Sequence, residues 1–382
     1  MAFRAPEHII PKFLWKHIIK YMSYDDVIKM ATTAKRFAGL VDEDTGRSNL
    51  IEHRTNAIAV VKCNVNQMDY FWKYALQTYI GCDNINDLLQ YIEDDINHIA
   101  DYIYYKVFIK IGDYILDNSE PKYYSLNQCK CSIEINGSKE GPTWIRYTYH
   151  KYGSLRPIYA VIPNYFSMRH VNFDNVSCIF TKYNPDFYYR YIDDDVFIRV
   201  NHYSELYIYR CTFAKCHESN INARCIDKIT IVNCTFDTGL SIYNITEKKF
   251  RLKLDHLGLS GNTICDISHS TFSINDIYDC ISIMTKLPFT LLFTNNTILK
   301  ATRLFSGWYN DQTIIKASYN KICNLDVCAE KYCNVNFTNN HFDNVKLLHD
   351  ETCENVIVDD TNVFIDCDKQ LMDQIKIENI KQ

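Results

Sequence analysis

Glycine and proline are scarce in this chain of 382 residues, at 11 and 8. That speaks against a loop-rich barrel, and no GxGxxG or GKS/GKT phosphate loop is present. There are 16 cysteines but no Cys-x-x-Cys; the closest pair is Cys129-Lys-Cys131. Without metal-ligand spacing no zinc site is expected, and scattered thiols in a reducing compartment serve as small apolar core residues. No apolar run approaches the ~20 residues of a membrane helix. The opening MAFRAPEH lacks the apolar core of a signal peptide, so a cytoplasmic or nuclear location is expected. The sequons at Asn175, Asn233, Asn244, Asn295 and Asn336 are then accidents of an Asn-rich composition. A net charge of −5 leaves no basic stripe for nucleic acid or a membrane.

Aromatics are abundant, with 29 Tyr and 20 Phe, and 47% of the residues are hydrophobic. The length predicts two or more folding units. A multidomain chain is expected, α then β: residues 1–48 as short helices, 49–125 as a helical linker, 126–169 as a hairpin or cap, 170–370 as repeats, and 371–382 as a tail.

The segment Ile9 to Met22, IIPKFLWKHIIKYM, has too much apolar surface for its length. As a helix after Pro11 it groups Lys16, His17 and Lys20 on one arc. Leu14, Trp15, Ile18, Ile19, Tyr21 and Met22 cover roughly 160° opposite, where a core-facing stripe needs about 100°. Ser23 with Asp26 caps a second helix carrying Val27, Met30, Ala31, Ala34 and Phe37. The order Ile10-Pro11, apolar helix, Asp25-Asp26-Val27, then Thr33-Ala34-Lys35-Arg36-Phe37 and Leu40 resembles an F-box, over about a tenth of the chain. It departs from the family at Ala34, usually Cys, and at Phe13, commonly acidic. The resemblance implies docking on a Skp-type adaptor, and through it a cullin, by Ile10, Pro11, Leu14, Trp15, Ile18, Met22, Val27 and Met30.

Residues 66–117 read as helical, with Ile85, Leu88, Leu89, Ile92, Ile96, Ile99 and Ile103 at three- and four-residue spacing. SIEINGSKEGPTWIRYTYH reads as a hairpin about Asn136-Gly137 or Gly141-Pro142. From about residue 170 a pattern recurs in LYIYRCTF, ITIVNCTF, LGLSGNTI, LLFTNNTI, IIKASYNKI and VNFTNNHF. Its small polar anchors are Cys211, Cys234, Asn262, Asn296, Asn320 and Asn340, with Thr361 following. Period-two apolar residues on both sides of each anchor indicate two strands about a bend. Stacked turn on turn they give a right-handed parallel β-helix, with the anchors as an internal Asn/Cys ladder. A leucine-rich repeat fits part of the same pattern and is the alternative. The whole resembles F-box proteins with pectate-lyase-like repeats, and the Ile-, Asn-, Tyr- and Lys-rich usage points to an AT-rich genome such as that of a large DNA virus.

Parallel β-helices are often polysaccharide enzymes, and Asp193, Asp194 and Asp195 are the candidate carboxylates. Neighbouring acids on one strand point to opposite faces, and no His shows metal spacing. No catalytic site, metal or organic cofactor is therefore expected. The expected role is substrate recruitment for an SCF-type ubiquitin ligase, with a decoy that sequesters the adaptor as the alternative. Outward aromatics in FSGWYNDQ, Trp308 and Tyr309, are the expected contacts to an unknown protein substrate, together with the long loop between Ile264 and Leu291.

Overall fold

The computed structural model describes residues 58–64, 80–82, 85–96, 103–116, 123–125, 131–147, 158–162, 164–176, 178–181, 203–214, 221–244, 263–274, 279–285, 288–308, 313–329, 334–349 and 355–381. Most of them are strands in two large, predominantly parallel sheets, a parallel β-helix-like arrangement. The F-box-like segment, with Ile10, Pro11, Leu14, Trp15, Ile18, Met22, Val27 and Met30, lies outside the described residues.

Each coil begins with a strand on a first face. These strands stack in the order Ile103–Ile109, Cys131–Asn136, Tyr165–Arg169, Glu205–Tyr209, Lys228–Val232, Thr263–Ser268, Phe289–Thr294, Thr313–Ser318, Asn334–Thr338 and Asn355–Val358. After a corner, a second-face strand follows, such as Thr143–Tyr147, Asn172–Asp174 and Thr212–Ala214. A third-face strand then closes the coil, as in Ile158–Val161, Cys178–Thr181 and Ile221–Arg224. In the late coils the second and third strands merge into Thr297–Trp308, Lys321–Ala329 and His341–His349.

Alternation places the core. On the first face Leu206/Ile208, Ile229/Ile231, Cys265/Ile267 and Leu291/Phe293 point inward and are buried. On the second face Phe173, Phe213, Phe236 and Phe272 form a column of parallel rings with centroids 4.9, 5.1 and 5.0 Å apart. The corner between first and second faces is made by one residue in the left-handed region. His170, Arg210, Asn233, His269, Asn295, Tyr319 and Asn339 all have φ between 51° and 57°. That single reversal turns the next side chain into the core.

The next residue is the ladder position. Coil register stacks Thr143, Val171, Cys211, Cys234, Ser270, Asn296, Asn320, Asn340 and Asn362 in one column. Asn296, Asn320 and Asn340 lie in it as the sequence implies. The expected anchor Asn262 lies outside the described residues, and Ser270 holds the rung next to Cys234, donated to at 3.1 Å. Asn362 rather than Thr361 continues the column. The spacings from Cys234 onward are therefore 36, 26, 24, 20 and 22 residues. The long coil lies before Thr263, and the expected loop between Ile264 and Leu291 instead contains strands Thr271–Ser273 and Asp279–Thr285.

Two further expectations are corrected. Residues 131–147 are not a hairpin: Cys131–Asn136 pairs in parallel with Ile103–Ile109 and Tyr165–Arg169, and Thr143–Tyr147 pairs in parallel with Gly112–Leu116 and Asn172–Asp174. The Asn-Gly step turns a solenoid corner. Within the expected helical linker the described helix is α1 (Ile85–Ile96), which buries Leu88 and Ile92. Ile103–Ile109 is a strand, because its β-branched and aromatic residues gain parallel partners on the first face. At the other end the expected tail is helix α2 (Lys369–Lys381), with Leu371 and Ile375 buried. Gln374 Oε1 accepts from Leu348 N at 2.8 Å and its Nε2 donates to His349 O at 2.9 Å, covering the edge of the last long strand. No described helix lies on the convex side of successive coils, as a leucine-rich repeat would require. Among the described residues no helix is long and apolar enough to cross a membrane.

Candidate functional site

Trp308 ends strand Thr297–Trp308, while Tyr309 and Asp193 to Asp195 lie outside the described residues. Cys131 opens its strand and Cys129 lies outside. Among the described residues no group of three or more His, Cys, Asp or Glu could hold a metal ion. Cys211 and Cys234 are ladder residues: each thiol donates to carbonyls, Cys211 Sγ to Met168 O at 3.6 Å and Cys234 Sγ to Ile208 O at 3.7 Å.

Among the described residues, one cluster of outward side chains gathers on the first face. Parallel register sets outward residues from distant parts of the chain in rows. Ser132, Glu134 and Asn136 lie beside Tyr165, Ser167 and Arg169. Those lie beside Glu205, Tyr207 and Tyr209, and the next row is Lys228, Thr230 and Val232. Small Ser167 is thus surrounded by Glu134, Tyr165, Arg169 and Tyr207. Arg169 leans back along its own strand: Nη2 meets Tyr165 Oη at 3.4 Å, and Nη1 lies 4.0 Å from the Glu134 carboxylate. Its guanidinium also lies 5.1 Å from the Tyr207 ring centroid.

The left-handed corner extends this platform. His170 meets Tyr209 edge to face at 5.6 Å, and Arg210 lies 5.1 Å from the same ring. Tyr207 and Tyr209 are near-parallel at 6.2 Å. Burial lowers the His170 imidazole below its ordinary value, and Lys139, Arg210 and Arg169 lower it further. At neutral pH it is therefore uncharged beside three cations. Glu205 is engaged by Lys228 at 2.8 Å. Two buried polar atoms here have no hydrogen-bond partner, Arg169 Nε and Ser167 Oγ. Tyrosine and arginine together, partly exposed on a rigid sheet, are the residue types that anchor protein interfaces.

A second polar group lies on the next face. Arg146 bonds Asp113 at 2.9 Å and also Asp174, with its guanidinium 4.6 Å from the Trp144 ring. Its two carboxylates are held as acceptors by one guanidinium, which suits a rivet between coils rather than paired acid–base catalysis.

Sequence reasoning missed the platform because Glu134, Arg169 and Tyr207 are neighbours through coil register alone. Tyr207 and Tyr209 were recognisable as outward residues in LYIYRCTF, but their company was not.

No protein-family model matches the chain. No curated protein sequence matches it either. Among solved structures it is similar to Geobacillus virus E2 ORF18, at 13% identity and a TM-score of 0.26. The match covers 75% of this chain and 57% of that one, a likeness too slight to carry an argument.

Proposed function

We propose that this chain is a substrate-recruiting F-box subunit of an SCF-type cullin–RING ubiquitin ligase. In this reading residues 1–48 dock on a Skp-type adaptor, and a right-handed parallel β-helix presents its first face to a target protein. The observation that carries target recognition is the platform of Tyr165, Arg169, Tyr207, Tyr209 and Arg210. The order of residues from Ile10 to Leu40 supports adaptor docking. Trp308 and Tyr309 offer a second contact, which Trp308→Ala with Tyr309→Ala tests by the target affinity lost.

The deciding experiment is co-purification of adaptor and cullin with the chain, followed by ubiquitin transfer onto the proteins it captures. Leu14→Asp with Ile18→Asp buries unpaired charge in the docking surface and abolishes adaptor binding. Adaptor binding that survives in that variant, with circular dichroism unchanged, overturns the F-box reading. Adaptor and cullin captured without any ubiquitin transfer identifies the chain as a decoy instead.

A further inference from the structure

We propose that the first-face platform takes a carboxylate side chain from an acidic segment of its protein partner, with Arg169 as the fork that receives it and Tyr207 and Tyr209 as the flanking stack. This rests on the reading of the first face as the target-binding surface.

Arg169 is poorly matched by its own protein. A guanidinium has five N–H donors in a planar fork, and its natural complement is a two-oxygen acceptor. Here Nη1 and Nη2 reach their partners at 4.0 and 3.4 Å, and Nε, though buried, has none. The Ser167 hydroxyl, fully buried next to it in the same strand, also lacks a partner. Such donors cost stability unless a ligand satisfies them. One carboxylate that displaces the long contact to Tyr165 supplies acceptors for both the guanidinium edge and the hydroxyl.

Charge selects the sign of the ligand. Lys139, Arg169 and Arg210 are grouped around one corner of a chain whose net charge is −5. Among the described residues the acids nearby are Glu134, which is 6% exposed, Glu140 on the corner loop, and Glu205, which is held by Lys228, with Asp266 one row further on beside Thr230. An incoming Lys or Arg meets the guanidinium groups of Arg169 and Arg210, whereas the Glu134 carboxylate is buried. An incoming Asp or Glu meets the exposed Arg210 and the 35% exposed Arg169 first. Tyr207 and Tyr209 then offer near-parallel rings to the apolar or aromatic residue beside the acid.

The test is selection of random heptapeptides displayed on phage against the full-length chain. The selected sequence is then made as a fluorescein-labelled peptide and titrated by polarisation. The expected sequences carry Asp or Glu beside an apolar or aromatic residue. Changing that acid to its amide, or Arg169→Met in the protein, weakens binding by about tenfold or more. Arg210→Met, at an exposed position, weakens it less and serves if Arg169→Met compromises folding. Neutral or basic selected sequences, indifference to the acid-to-amide change, or no selected sequence at all overturns the proposal. Sequences that need Tyr207 and Tyr209 but ignore charge sink the carboxylate and leave the face as target surface. Sequences that bind equally to the Tyr207→Ala, Tyr209→Ala and Arg169→Met variants sink both.

Discussion

Asn296 and Asn320 are 24 residues apart in sequence and one coil apart in space, and Asn296 donates twice to one atom of Asn320. Its main-chain N–H lies 2.9 Å and its Nδ2 3.2 Å from Asn320 Oδ1. Asn320 repeats this toward Asn340, and Asn340 toward Asn362. The second Nδ2 hydrogen of each goes to a main-chain carbonyl, such as Phe293 O at 2.8 Å from Asn320. At the last rung, Asn362 Nδ2 also donates to Asp359, so the ladder ends satisfied.

Asn320→Leu tests that column. The main-chain N–H and one Nδ2 hydrogen of Asn296 lose their acceptor, and Phe293 O loses a donor. Each stranded group costs about 1–3 kcal/mol. Urea unfolding should show a lower midpoint with an unchanged m-value. A loss under roughly 0.5 kcal/mol would mean the ladder contributes little beyond volume.

Phe236 stacks between Phe213 and Phe272, at 5.1 and 5.0 Å, and is fully buried. Phe236→Ala leaves a cavity closed on both sides by rings that cannot collapse, and should cost about 3–5 kcal/mol. Phe236→Leu refills most of that volume and should cost clearly less. Equal losses for the two variants would point to ring stacking rather than burial as the main contribution.

The ladder was legible where the anchor is an amide. Asn296, Asn320 and Asn340 sit between alternating apolar residues, and no other position in those coils offers the same pattern. It was illegible where chemistry at the rung changes. Ser270 in ISHSTF and Asn262 in LSGNTI both satisfy the spacing, and the amide type favoured the wrong one. Earlier rungs are Val171 and Thr143, which carry no amide signal, so the coils before residue 170 read as linker and hairpin. Helical spacing of Ile96, Ile99 and Ile103 concealed the strand from Ile103, because periodicity alone does not reveal a parallel partner 28 residues away at Cys131. The platform depends wholly on that register.

The thiols report the same interior. Burial raises the thiols of Cys234, Cys265, Cys280 and Cys328, which are fully enclosed, and raises that of Cys367 as well, but Cys367 is only half-buried and so open to reagent. Iodoacetamide followed by peptide mass spectrometry should modify Cys367 well before these four, which react fully only in denaturant. Prompt native labelling of Cys265 or Cys280 would contradict the described core.

His170 gives the platform a pH signature. Its folded value lies below the ordinary 6.5, so in acid the unfolded chain binds a proton that the folded chain refuses. The His170 contribution is constant above about pH 7, and stability falls as pH drops through 6.5 until the folded value is passed. His170→Gln should flatten that part of the stability curve. An unchanged slope would show that other groups dominate it.

Gly137 connects the fold to the site, and its substitution is the sharpest single test of their coupling. Its N–H donates to Arg169 O at 2.8 Å, which holds its corner against the next coil. A Cβ on Gly137 would fall 2.0 Å from His170 O and 2.8 Å from His170 C, closer than atoms can approach. Main chain cannot rotate aside as a flexible side chain does. Gly137→Ala must therefore push the His170 corner away, lengthening the bond to Arg169 O and tilting Arg169 and His170 relative to Tyr207 and Tyr209. The expected outcome is a stability loss of about 1–3 kcal/mol, the range for overpacking, with a matching shift in the His170 imidazole signals by NMR. Gly141→Ala is the control on the same corner loop. The nearest atoms its Cβ would meet belong to the exposed Ile111 side chain, at 3.0 Å, which can give way. Equal losses for the two variants would show that the loop, rather than its seat on His170, sets the corner.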